Sequence, residues 1–181
     1  MLVPYETVKM YFAYPIFVVG YQDADFGANL TTCSSSYSLG DMFCFGLGGT
    51  GHAAAQIQAT KRCTISFFGP EYLKQLEYTG FHHAQDKLHE SGLAYHLKTG
   101  LPILEDASVV LTLNIDSATA VHGAINFVAT IQQRLVQESK LQAGKMDVTQ
   151  LNPPLFAGDG HQRVYRQLSD QVASLGAFTK V

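Results

Sequence analysis

Apolar positions along this chain fall in short runs broken by turn residues, a strand-like pattern more than a helical one. Ile16–Tyr21 is β-branched and aromatic and predicts a strand. Asp23-Ala24-Asp25-Phe26-Gly27 is a turn, since Asp closes Asx turns and Gly accepts positive φ. Asn29–Ser36 alternates loosely and predicts a second strand that ends in small hydroxyl side chains. Met42–Leu47 and Arg62–Phe68 predict two more strands, with a helix over Ala53–Thr60 between them. Pro70–Tyr78 reads as a helix with Pro in its first turn.

Beyond this the pattern changes. Gly80–Gly100 is polar and His-rich, with short helical pieces at best. Leu104-Glu105-Asp106 leads into a strand over Val109–Ile115, and Ala120–Val136 predicts one long bent strand that closes a hairpin with it. Lys140–Pro154 is a loop with a stiff Asn152-Pro153-Pro154, and Val164–Leu168 adds a short strand or turn. Strands dominate and helices are inserts. A mainly β barrel with peripheral helices satisfies this pattern, because closure removes exposed edges. A doubly wound sheet needs strand–helix alternation, which stops after residue 80.

Composition narrows the function classes. At 181 residues the chain suits one domain over 1–181 with a real core. With 46% apolar and 15% charged residues it is not a disordered chain. A net charge of −3 with scattered Lys and Arg leaves no footprint for nucleic acid or an anionic membrane surface. The apolar runs are too short to cross a bilayer as helices, and the N-terminus reads as mature sequence. Cys33, Cys44 and Cys63 are odd in number, without CxxC spacing, and sit in apolar contexts. They predict buried free thiols in a reducing compartment, the cytoplasm.

Chemistry concentrates in two places. Asn29-Leu30-Thr31-Thr32-Cys33-Ser34-Ser35-Ser36 gathers donors that bind phosphate or a ring edge without charge. Gly46-Leu47-Gly48-Gly49-Thr50-Gly51 then leads from a strand into a helix at His52 and Ala53, where amides and dipole favour an anion. Its letters fit GxGxxG, which leaves a dinucleotide fold open; Glu71, however, follows Pro70 instead of ending a strand. A plain Gly-rich hairpin loop remains the other reading. His82, His83 and His89 lack metal-ligand spacing, and no metal site is expected. His122 reads as a strand-interior histidine, Asp86-Lys87 as a solvated pair, and Cys33 shows no neighbouring base. No GxSxG is present, which disfavours a serine hydrolase.

The ordered set of motifs resembles the flavin reductase-like FMN-binding split-barrel family, its flavoredoxin branch in particular. Carrying the resemblance are Tyr14-Pro15, Gly27-Ala28-Asn29-Leu30-Thr31-Thr32, Ile57–Phe68, Gly80 with Asp86-Lys87, and Gly100–Glu105. Gly144-Lys145-Met146-Asp147, Leu151–Leu155 and Arg163-Val164-Tyr165 complete it in family order. Each motif is weak alone, and together they cover nearly the whole chain.

The resemblance implies a six-stranded Greek-key split barrel, a homodimer, and FMN near the dimer interface. It implies ring and ribityl contacts from Asn29, Thr31, Thr32, Cys33, Ser34, Ser35 and Ser36. Phosphate contacts are implied from Gly48, Gly49, Thr50, His52, Ala53 and Lys87. The activity implied is electron transfer from NAD(P)H or a protein donor, through FMN, to a small-molecule or protein acceptor; a flavin-binding carrier or sensor without turnover is the alternative. The chain departs from the family pattern at Ala53, where a Thr is frequent, and at His122-Gly123-Ala124-Ile125, where the family strand reads His-Ile-Ile. The Pro that often precedes the strand at Phe43 is also missing.

Overall fold

The computed structural model describes residues 1–83, 85–175 and 177–178. The strands are β1 (Met10–Pro15), β2 (Phe17–Asp23), β3 (Gly27–Cys33), β4 (Ser36–Leu39), β5 (Met42–Gly48) and β6 (Arg62–Phe67). They continue with β7 (Tyr95–Lys98), β8 (Leu101–Leu104), β9 (Val109–Val121), β10 (Ala124–Val136), β11 (Leu141–Gln142), β12 (Lys145–Met146), β13 (Leu155–Asp159) and β14 (Arg163–Arg166). The helices are α1 (His52–Thr60), α2 (Leu73–Phe81) and α3 (Lys87–Glu90).

The main sheet has seven strands in the order β3-β2-β6-β9-β10-β5-β4, all antiparallel. Its two edges, β3 and β4, are consecutive in the chain and separated only by Ser34–Ser35. Counting them as halves of one interrupted strand reduces the seven strands to six. At the break, the Gly46 amide donates to Ser35 O (3.0 Å). Among the described residues no ladder joins β3 to β5 beyond this point. The result is a mostly β split barrel.

β2 explains why its run is apolar at successive positions: it is buried on both faces. Phe17, Val19 and Tyr21 point into the barrel, where they meet Phe43, Phe45, Ile57, Ile65, Leu113 and Phe127. Ile16 and Val18 belong to an outer layer with Leu30, Leu76, Leu88, Ile103 and Leu104. Gly20 lies under the β7–β8 hairpin, where a Cβ would run into Thr64 Oγ1 and the Pro102 ring.

Several sequence expectations need correction. The second strand ends at Cys33, not Ser36, because Ser34–Ser35 carry the chain across the split to β4. Pro70–Tyr72 is a 3₁₀ turn, and α2 begins after it. The polar stretch before Gly100 contains β7, which pairs with the fully buried β8. Thr99 and Gly100, both at positive φ (51° and 81°), make its turn. β9 runs on to Val121, and the residue read as strand-interior, His122, sits exposed in a turn with Gly123 (φ 48° and 77°). The 140–154 loop holds the small β11–β12 hairpin.

The barrel interior turns on Phe127, fully buried and stacked on Phe45 with centroids 4.9 Å apart. Phe127→Ala is expected to cost about 3–5 kcal/mol in urea unfolding. A loss below about 1 kcal/mol would mean the barrel core is not packed through this pair.

Candidate functional site

The β2–β3 hairpin, the β5–α1 junction and the start of α3 meet around a cleft of about 700 Å³. That volume lies in the range of small-molecule and cofactor sites. Asn29, Thr31, Thr32, Gly48, Thr50, His52, Ala53 and Lys87 line it. Tyr21, Asp25, Phe26, Leu47, Gly51, Ala54, His83 and Gln85 complete the walls.

The centre of its polar network is Asp23, 4% exposed at the end of β2. Its Oδ1 accepts from the Asp25 amide (2.9 Å) and the Phe26 amide (3.4 Å), the Asx turn that closes the hairpin. Its Oδ2 accepts from His52 Nε2 (2.8 Å) and Asn29 Nδ2 (3.2 Å). Burial pushes the Asp23 carboxyl up, but the Asp25 amide and the His52 and Asn29 bonds outweigh it, and the net shift is downward. The same burial, with the Asp23 charge, raises the Tyr21 phenol well above its ordinary range.

Asn29 passes this order on to α3. Its Oδ1 accepts from the Leu30 amide (2.8 Å) and the Lys87 amide (3.1 Å), while Nδ2 also donates to Gln85 O (2.9 Å). Asp86 caps α3 by accepting from the His89 amide (3.2 Å) and from His89 Nδ1 (2.6 Å). Tyr95 then donates to His89 Nε2 (2.7 Å). Lys87 is therefore not a solvated residue but 6% exposed, with Nζ donating to Thr79 O (3.0 Å) in the last turn of α2. Burial pulls its ammonium down to about 8, against the opposing Asp23 charge.

The glycine-to-helix junction is held by the β9–β10 turn. The Gly49 amide donates to Gly123 O (2.9 Å), and a Cβ on Gly49 would approach that oxygen to 3.0 Å. Gly49 is thus a packing residue whose amide is already used, and it does not line the cleft. The Gly51 amide donates to Gly48 O (3.0 Å). His52 and Ala53 open α1, and their first-turn amides have no intrahelical acceptor. Gly48 has open space where a Cβ would stand.

The hydroxyl run divides where the strand breaks. Thr31 lines the cleft, and Thr32 does so while its Oγ1 donates to Leu76 O (2.8 Å) beside Thr79 Oγ1 (2.6 Å). Thr32 therefore docks α2 on β3. Cys33 and Ser34 line a neighbouring recess, and Ser35 and Ser36 a third depression with Tyr37, Phe45 and Asn126. Cys33 Sγ donates to Gly46 O (3.1 Å), and burial pushes its thiol up to about 11, which makes it a poor nucleophile. All three cysteines are free. Ligand atoms of Asp23, Asp25 and His52 lie within 4.8 Å of one another, but the Asp23 oxygens are already engaged as described.

Against known proteins, the chain belongs to the flavin reductase like domain family, whose profile it matches over residues 10–164. No curated protein sequence matches it. Its fold is similar to flavoredoxin of Desulfovibrio vulgaris (Miyazaki F), with TM-score 0.87 and 20% identity over 99% of this chain and 100% of that one. The FMN-binding protein from Thermus thermophilus aligns with TM-score 0.75 and 18% identity over 96% and 97% of the two chains. A protein assigned as a flavin reductase with split barrel domain, from Shewanella frigidimarina, aligns with TM-score 0.75 and 18% identity over 89% and 84%. At these identities the likenesses show the fold; membership comes from the family profile. A flavin-related oxidoreductase role follows from that membership. No helix of the described residues is long and apolar enough to cross a membrane.

Asp23→Asn should lower stability at pH 7 by about 2 kcal/mol, since charge-assisted bonds to His52 and the turn amides are lost. A depressed carboxyl stabilises the fold above its ordinary range and loses that contribution as pH falls through the folded value. Urea unfolding should therefore show the gap between wild type and variant closing below about pH 4. A gap that stays constant would remove Asp23 from its place at the centre of the network.

Proposed function

We propose that this chain is an FMN-dependent oxidoreductase of the flavin reductase or flavoredoxin type, working as a homodimer in the cytoplasm. Electrons would pass from NAD(P)H or a protein donor, through FMN, to a small-molecule or protein acceptor. The observation that carries the reading is the donor set of the cleft. His52 and Ala53 with their first-turn amides, Thr50 with its hydroxyl and the buried Lys87 all line it, donors of the kind an anion takes. Gly48 leaves room for a close approach to the backbone. These features fit a terminal phosphate.

When bound, FMN would supply the redox chemistry, and the protein would hold and tune it. Thr31 and Asn29 face the same cleft and are suited to the polar parts of the cofactor. Tyr21 and Leu47 give apolar wall. The cleft also places Asp25 at its rim, which keeps its mouth from being uniformly positive. Ser35 and Ser36, which the split carries into a separate depression, are available to the cofactor only from that side. The homodimer is supported by β4, an edge strand with exposed Tyr37 and Leu39, and by exposed Met10 and Phe12 on β1.

Quenching of flavin fluorescence separates the phosphate contribution from that of the ring. FMN should bind at least about tenfold more tightly than riboflavin at pH 7, and Lys87→Met should erase most of that difference. Lys87 is charged below about pH 8 and neutral above it, so the FMN advantage should shrink as pH rises through that region in wild type and stay flat in the variant. Equal binding of FMN and riboflavin would contradict the phosphate assignment. Light scattering at micromolar concentration should give twice the chain mass of 19.8 kDa, and a monomer would contradict the dimer.

A further inference from the structure

α3 is four residues long, and its backbone bonds run from the Glu90 amide to Asp86 O (3.2 Å) and from the Ser91 amide to Lys87 O (3.0 Å). A helix of that length does not hold itself in water. Its orientation, and with it the direction of Lys87, is set by what is attached to it. We propose that His89 and Tyr95 are positioning residues for the ammonium of Lys87, an inference that rests on the phosphate reading of the cleft.

On the cleft side, Asn29 binds the Lys87 amide (3.1 Å) and Gln85 O (2.9 Å), and Lys87 Nζ donates to Thr79 O (3.0 Å). Successive helix positions are about 100° apart, so His89 stands about 200° from Lys87, on the far side of α3. Burial agrees: Lys87 and Leu88 are buried, whereas the His89 side chain is 59% exposed.

On that far side runs one chain of side-chain bonds. Tyr95 Oη donates to His89 Nε2 (2.7 Å), and His89 Nδ1 donates to Asp86 Oδ2 (2.6 Å). A carboxylate only accepts, so Nδ1 carries the proton and Nε2 is left to take the hydroxyl; one tautomer serves both bonds. Asp86 in turn caps α3 at the His89 amide (3.2 Å). Tyr95 is itself anchored. It pairs with Leu104 of the buried β8 and packs on the outer layer, and the Glu105 amide binds the neighbouring Ala94 O (2.8 Å). α3 is therefore tied to β3 at its front and to the β7–β8 hairpin at its back. Two opposed tethers resist the roll about the helix axis that would turn Lys87 out of the cleft. Neither His89 nor Tyr95 lines the cleft, so their effect on a ligand there passes through α3.

Fluorescence titration of FMN and riboflavin against the full chain tests this. Tyr95→Phe keeps the ring packing and should weaken FMN about threefold; His89→Ala should weaken it about fivefold. His89→Asn keeps a donor for Asp86 and should match Tyr95→Phe. Riboflavin affinity should stay within about 1.5-fold in all three, which also shows that the cleft is still folded. In a Lys87→Met background, Tyr95→Phe should change FMN binding no further, as expected of residues acting as one unit. Unchanged FMN affinity in His89→Ala and Tyr95→Phe would overturn the proposal. So would equal losses for FMN and riboflavin, the mark of a merely structural role, or a full FMN loss on adding Tyr95→Phe to Lys87→Met. These results leave the wild-type preference for FMN, and the phosphate reading, intact. Equal binding of FMN and riboflavin by wild type would remove the phosphate reading, and the positioning role with it.

Discussion

A carboxylate withdrawn from water at the end of a strand must be compensated, and the compensation of Asp23 organises the cleft. Its two oxygens accept four hydrogen bonds, from the Asp25 and Phe26 amides, His52 and Asn29. Through the turn amides it closes the β2–β3 hairpin. Through His52 it ties the first residue of α1 to β2. Through Asn29 it reaches the Lys87 amide and the start of α3. Three separate segments are held at fixed positions by one buried charge. A buried charge that lost these partners would be strongly destabilising, so the geometry is steep about its minimum.

The same logic explains why Lys87 can be buried. Its ammonium lies against the carbonyl end of α2, where the helix dipole is negative, and within the field of Asp23. Burial still depresses it, which leaves a cation poised to gain from an incoming anion. The site is thus preorganised by interactions that are internal to the protein.

Much of this was legible in the residues. β2, β5, α1 and β6 stand out because their patterns are local: β-branched runs, a high-propensity alanine stretch and turn residues between them. The grouping of Asn29, Thr31 and Thr32 with Thr50, His52 and Lys87 rested on family order, and the fold brings all of them to one cleft. What stayed hidden is non-local. Asp23 reads as a turn former, and only the register of β2 against β3 and α1 shows it to be the buried hub. Asp86-Lys87 reads as a solvated pair because nothing in the neighbouring residues reports that α2 covers it. The strand break after Cys33 is equally silent, since Ser34–Ser35 are as compatible with a strand as with a crossing. His122 looked interior because apolar residues flank it, whereas the His122–Gly123 turn needs positive φ at both positions.

The central claim is that this cleft holds a flavin that accepts electrons. The visible absorption spectrum of the purified protein with added FMN, followed by NADPH under anaerobic conditions, tests it most directly. The account predicts a bound-flavin spectrum that bleaches on NADPH addition. Bound flavin that NADPH leaves oxidised would point to a protein donor or a carrier role. A chain that leaves the FMN spectrum unchanged and retains no flavin would contradict the account.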